Sequence, residues 1–329
     1  MQNKRRKTVW SFFVTAVLLL ALFLYAVKAG SLAITWSEIF HGLFGNGDDM
    51  YGFVHDTRFP RIFIAMLGGA ATAVSGVLLQ AVMKNPLADP GILGISSGAN
   101  LVSIVLAFLV PSLYLYKPFF AFLGGMLAFA LVYSLSWKSG LSPLRIILVG
   151  VAVNAMFTGI VDAFQSATGN SGISSIIRSS ISQESWGDVE ILAIYSLVGI
   201  VCAILSANQC NLLSLSDETA TSLGVNVNRS RILVSLVAVL LASISTAIIG
   251  PISFLGLIVP HIARLLVGSN HKVLIPYTIL AGAFLLLLAD TVGRLIAAPN
   301  EISPTVIMAV VGGPFFIFLL RRSDKTYGS

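Results

Sequence analysis

The sequence predicts an all-α integral membrane protein of about ten transmembrane helices, a single polytopic domain over residues 1–329, with an inverted internal repeat relating spans 2–5 to spans 7–10. Three observations predict it. Hydrophobic residues make up 56% of the chain and charged residues 10%, with mean hydropathy +0.91, whereas soluble domains are about 45–50% apolar and about 25% charged. Apolar runs approaching the roughly 20 residues needed to cross a bilayer recur between charge, proline or glycine clusters. Two Gly/Pro-rich interruptions, Pro90–Gly94 and Gly250–Gly256, fall at equivalent points of two halves of opposite orientation, and are expected on opposite membrane sides.

The runs lie near residues 8–28, 60–83, 93–110, 118–137, 143–165, 189–206, 231–250, 256–268, 276–297 and 304–320, the eighth being too short to span without help from its neighbours. The first follows Lys4-Arg5-Arg6-Lys7, as a signal peptide would. Its apolar stretch exceeds the usual h-region of about 7–15 residues and more membrane follows, so it is read as a retained span. With the N-terminus inside, only Lys28, Arg58, Arg61, Lys117, Arg178 and Arg294 of the 20 Lys and Arg fall outside. That bias places both termini in the cytoplasm and accounts for a pI of 9.4 without nucleic acid. Cys202 and Cys210 imply no disulfide framework.

After the first span, TWSEIFHGLF is an amphipathic segment with Thr35 or Ser37 as possible N-cap, expected as a short helix on the outer face. Arg58-Phe59-Pro60-Arg61 then introduces the second span. These arginines are lipid anchors or, with Glu38, Asp48, Asp49 and Asp56 nearby, part of a docking patch. Gly68, Thr72, Gly76 and Gln80 recur every four residues on one face of the second span, a stripe suited to close helix packing. At its end the Gln80 amide could bond the broken backbone that follows. Pro86, Pro90, Gly91 and Gly94 interrupt the chain before the third span.

Gly150, Asn154, Thr158 and Asp162 make a polar seam along the fifth span. It serves either hydrogen bonding inside the bundle or the lining of a pathway. Residues 166–188 form a Ser/Gly-rich outer loop, with a re-entrant or surface helix expected around Ile173–Ile177. On the cytoplasmic side, Ser214 or Ser216 can cap a short helix whose first turn carries Asp217 and Glu218 and which Gly224 can end. His261 is expected to hydrogen-bond at a helix terminus. Asp290 and Arg294, four apart, allow an ion pair near the outer end of the ninth span, and Gly312-Gly313-Pro314 is expected to break the tenth.

No G-x-x-x-x-G-K-[ST] phosphate loop, H-E-x-x-H, G-x-S-x-G or Cys/His cluster occurs. The chain is therefore expected to be neither an ATPase nor another enzyme, and to need no cofactor or metal of its own. On residues alone, an ion-coupled secondary transporter is the alternative.

The stretch Gln80, Asn85-Pro86-Leu87-Ala88, Pro90, Leu93-Gly94 and Gly98-Ala99 resembles the motif of permease subunits of bacterial ABC importers for iron-siderophores, haem and cobalamin. So do Arg58-x-Pro60-Arg61, the pattern of Leu213, Leu215, Ala220, Leu223 and Gly224, the run from Gly250 to Arg264, Pro276, Ala289-Asp290 with Arg294, Glu301 with Pro304, and Gly312 to Phe316. The resemblance covers essentially the whole chain. It implies the type II ABC importer fold, a pair of permeases (two copies or a copy and a paralogue), two ATP-binding subunits inside and a substrate-binding protein outside, in the bacterial cytoplasmic membrane. It implies that Asp217, Glu218, Ala220, Leu223 and Gly224 couple to the ATPase, that Arg58, Arg61 and Arg294 dock the binding protein, and that Gln80, Asn154, Thr158 and Asp162 belong to the translocation pathway. The cargo it implies is an iron chelate, a siderophore complex or haem, with cobalamin third. Two departures stand out: Ser303 replaces the usual proline, and Ile176, Ser179, Ser180 and Ile181 replace the usual W-x-x-G-S-L before the sixth span.

Overall fold

The computed structural model describes residues 2–29, 35, 37, 49–136, 143–168, 185–297 and 300–327. In chain order the helices are α1 Gln2–Lys28, α2 Asp49–Met83, α3 Ile95–Leu109, α4 Lys117–Ser136, α5 Pro143–Thr168, α6 Trp186–Leu205, α7 Ala207–Leu213, α8 Asp217–Ser222, α9 Val227–Ile249, α10 Leu255–Val267, α11 His271–Ile296 and α12 Pro304–Tyr327, with a 3-10 turn at Pro111–Tyr116. No strand occurs among the described residues. Among the described residues seven helices are long and apolar enough to cross a membrane (α1, α2, α4, α5, α6, α9 and α11), and α3, α10 and the first part of α12 are shorter apolar helices. Together they coincide with the ten apolar runs. The expected helix at Ile173–Ile177 and most of the TWSEIFHGLF segment lie outside the described residues.

α2 and α9 form the centre, with 83% and 72% of their apolar windows buried against 11% for α1 and 28% for α5. Lipid tails are as apolar as leucine, so helices associate here through close packing of small residues and buried hydrogen bonds. The α2 stripe does this. Gly68 lies against Ser245 and Ile249 of α9, Thr72 Oγ1 donates to Ser245 Oγ at 2.9 Å, and Ser75 Oγ donates to the Ala238 carbonyl at 2.7 Å. A Cβ on Gly76 would sit 2.0 Å from the Gly256 carbonyl oxygen, so only glycine allows α10 to begin there.

Packing follows the inverted repeat. α2 packs on α11 as α9 packs on α4, and α3 packs on α4 as α10 packs on α11, as expected if α2 exchanges with α9 and α4 with α11. Contrary to expectation, the two Gly/Pro breaks do not lie apart on opposite faces. Pro90 and Asp89 touch Gly256, and Gly91 approaches Ser253. Gln80 Nε2 donates to the carbonyls of both Ala88 and Gly256, each at 3.2 Å. The loop after α2 climbs back along that helix and meets the loop after α9, so α3 and α10, about 22 and 20 Å long at 1.5 Å per residue, begin inside the protein and fall short of a bilayer core of about 30 Å.

Two expectations about proline are corrected. Pro60 lies within α2, which starts at Asp49, and α12 runs through Pro314 rather than breaking there. Neighbouring helices in a membrane protein can sustain a helix across the single bond a proline forfeits; Gly312 seats on the Phe254 side chain and Phe316 packs 6.0 Å from its ring. His261 stands mid-way along α10, not at its end, with its ring 5.7 Å from Phe315.

Candidate functional sites at the two ends of the bundle

At the end where α2 stops and α9 starts, α8 forms a short, tightly stopped helix. Ser216 Oγ accepts the Thr219 backbone N–H at 3.2 Å and caps its start. At its end the N–H of Val225 bonds the Ala220 carbonyl and that of Gly224 the Thr221 carbonyl, with Gly224 at φ 80°, the left-handed closure that glycine accepts. Ala220 is buried, whereas Glu218 and Leu223 are exposed. Asp217, its side chain 52% exposed, is held from two sides: Arg231 Nη2 donates to both its oxygens at 2.8 and 3.0 Å, and Lys84 Nζ lies 2.6 Å from Oδ1. The hydrogen bond from Lys84 does most to hold the Asp217 carboxyl below its ordinary range; partial burial opposes it and the Arg231 charge supports it. Lys84 also donates to the Leu215 carbonyl. Asp217 thus fastens α8 to α2 and α9. Lys84 and Arg231 were missed in the sequence because no spacing rule links residues 133 and 14 positions from their partner.

Beside α8 an open cleft of about 450 Å³ is lined by Gln80, Lys84, Asn85, Asn211, Arg264 and His271, among others. It too went unforeseen, because its walls come from α2, α7 and the α10–α11 turn.

At the other end, the three arginines expected to dock a binding protein are brought together, each less than a tenth exposed. Arg61 Nη2 and Nε reach Asp290 Oδ1 at 2.8 and 2.9 Å, and Arg61 Nη1 reaches Glu301 Oε2 at 2.6 Å. Arg294 Nε lies 3.2 Å from the other Asp290 oxygen. Arg58 Nη1 donates to the Val27 and Lys28 carbonyls and Arg294 Nη1 to those of Ala26 and Ala29, so both cations sit at the negative end of α1. Asp290 is fully buried between two guanidiniums, while the Glu301 side chain remains 43% exposed.

The polar seam of α5 divides. Gly150 packs against the Ile92 carbonyl and Asn154 backbone approaches Gly94, but the Thr158 and Asp162 side chains are exposed and Asn154 is half-buried. The structure therefore leaves this face turned away from the chain's own bundle. Gln80 is buried at the meeting of the two breaks and borders the cleft. Among the described residues no group of three or more His, Cys, Asp or Glu could hold a metal.

Comparison with known proteins agrees with this architecture. The pattern of the FecCD transport family matches residues 18–322. Staphylococcus aureus chains named "Probable heme-iron transport system permease protein IsdF", from strains Newman and MSSA476, are 38% identical over 325 residues, 99% of this chain and 99% of theirs. A metal-chelate type ABC transporter solved in an inward-facing conformation superposes with a TM-score of 0.78 at 29% identity, over 95% of this chain and 99% of that one. PsaBC from Streptococcus pneumoniae, in complex with Fab, shares the fold at TM-score 0.56 and 16% identity, over 86% and 95%. The all-helical fold, the inverted repeat and the full-length match together establish a multi-pass membrane permease of the ABC importer type, and the chain belongs to the FecCD transport family.

Proposed function

We propose that this permease carries an iron chelate across the bacterial cytoplasmic membrane, with haem as the favoured cargo, powered by two separate ATP-binding subunits and fed by an extracytoplasmic binding protein. The observation that carries the reading is the 38% identity, over 99% of both chains, to proteins named as haem-iron permeases. The inward-facing metal-chelate transporter supports the wider class.

Within that reading both termini are cytoplasmic and α8 is the element seated on the ATPase. Ala220 and Asp217 fix it to the bundle, leaving Glu218 and Leu223 free to touch a partner. Gly224 ends it. Asn154, Thr158 and Asp162 line a pathway between this chain and a second permease, since a polar face turned away from its own bundle would otherwise meet lipid. Gln80 stands at the inner end of that pathway. Arg58, Arg61 and Arg294 mark the outer end where the binding protein seats; because Asp290 already holds Arg61 and Arg294, a docking carboxylate would exchange with the half-exposed Glu301. Proteoliposomes holding the permease with its ATPase and binding protein should take up haem in an ATP-dependent manner, in preference to a ferric siderophore or cobalamin. Uptake driven by an ion gradient without the ATPase would refute the reading, and preference for a siderophore would replace the cargo.

A further inference from the structure

We propose that the cleft beside α8 receives an acidic side chain of the ATP-binding subunit, a second attachment point distinct from α8 itself. The inference rests on the reading of the chain as a permease that seats an ATPase.

The residues that line the cleft hold polar atoms without partners. Gln80, Asn85 and His271 are each more than nine-tenths buried, and Gln80 Oε1, Asn85 Nδ2 and His271 Nε2 make no hydrogen bond. The His271 ring is oriented. Asn211 Oδ1 accepts the His271 backbone N–H at 2.9 Å and lies 2.8 Å from Nδ1, while Asn211 Nδ2 donates to Asn270 Oδ1. Nδ1 therefore carries the hydrogen and Nε2 is left without a partner, buried behind the cleft wall. Leaving such groups unmatched costs more than the same groups would in water.

The cleft also carries charge without a counter-ion. Arg264 lines it half-buried, and among the described residues no carboxylate lies within ion-pair distance of its guanidinium. The nearby Asp217 is spent on Lys84 and Arg231. A planar guanidinium with five donors matches a carboxylate.

Position and charge identify the occupant. Lys84 lines the cleft and at the same time grips Asp217 of α8, so the cleft and the α8 face are continuous. A further basic group stands close by: Lys7 donates to the carbonyl of Leu265, the neighbour of Arg264, at 3.1 Å. A partner covering α8 also covers a cationic hollow, and an Asp or Glu is the side chain that fills it.

The test uses the complete transporter purified through a tag on the permease. Arg264→Gln should weaken retention of the ATP-binding subunit about tenfold or more at low salt, with a smaller difference at high salt, and Arg264→Lys should recover part of it. The melting temperature of Arg264→Gln permease alone should equal or exceed that of the natural chain, because an uncompensated charge has been removed. Arg264→Glu should be rescued by one Asp→Arg or Glu→Arg change in the ATP-binding subunit. Three outcomes would overturn the proposal: equal retention at both salts, lost retention matched by a drop in the permease's own melting temperature, or retained ATPase with Arg264-dependent stabilisation by vesicles of anionic phospholipid, which would make the occupant a headgroup. If the natural permease holds no ATP-binding subunit at all, the reading beneath it fails first.

Discussion

Asp290→Asn should cost this protein more stability than any neutralisation on its surface. The carboxylate has no exposure and is shared by Arg61, at 2.8 Å, and Arg294, at 3.2 Å. The amide keeps the shape but leaves two buried guanidiniums facing each other with only Glu301 as counter-charge. Removing one partner of a buried ion pair costs about 3–5 kcal/mol, whereas Glu301→Gln, acting on a side chain 43% exposed, should cost about 0–1 kcal/mol. At about 2–4 °C per kcal/mol for chains of 150–250 residues, and less for a longer one, Asp290→Asn should lower the melting temperature of the detergent-solubilised permease on the order of 5–10 °C. Combining it with Arg294→Met, which withdraws the surplus charge, should recover part of the loss. A melting temperature for Asp290→Asn within about a degree of the natural protein, set against the several degrees expected, would refute the buried pairing as a source of stability.

Gly76→Ala should abolish accumulation of folded protein, since its Cβ would lie 2.0 Å from a backbone carbonyl; Gly313→Ala, with nothing within 4 Å, is the control, and membrane yield reads both. Gly224→Ala should loosen the end of α8 by about 1–2 kcal/mol through its positive φ alone, and Gly224→Val by more, measured as faster hydrogen exchange over residues 217–225. Because Lys84 and Arg231 lower the Asp217 pKa, the anchoring of α8 is fully present above the ordinary carboxylate range and is lost as pH falls through the depressed folded value. A spin label at Glu218→Cys should keep constant mobility from about pH 8 to about pH 5 and gain mobility only below that range. Asn154→Leu and Asp162→Leu should reduce ATP-dependent uptake without lowering the melting temperature, and a fall in melting temperature first would return the seam to bundle packing.

Hydropathy located the membrane helices because each apolar run must satisfy its own backbone in lipid, and a helix does so locally. The cap of α8 was legible for the same reason: Ser216, Thr219 and Gly224 act within one or two turns. Periodicity found the stripe on α2 but not its partners, since Gly76 meets Gly256 only through folding of the second half. The breaks were expected on opposite sides because a run of glycine and proline reads as the end of a span. Nothing local says that two such ends turn inward and touch. The three arginines were recognised as a group, yet the sequence offered Asp290 only to Arg294, four residues away, and gave no sign of Arg61, whose bond to Asp290 spans 229 positions.

The contact between the two breaks also governs the order in which the protein can be made. Asp89, Pro90 and Gly91 are synthesised some 160 residues before Ile252–Gly256, which they touch. Until the ribosome delivers that second segment, the Ala88 carbonyl has Gln80 Nε2, but the place filled later by Gly256 stands open within the growing chain. Non-local contacts of this kind form slowly because loop closure must precede them. Seven apolar helices, α1 to α6 and α9, precede α10 in the chain, so α2 and α9 can already pack while the contact between the two breaks closes only when α10 arrives.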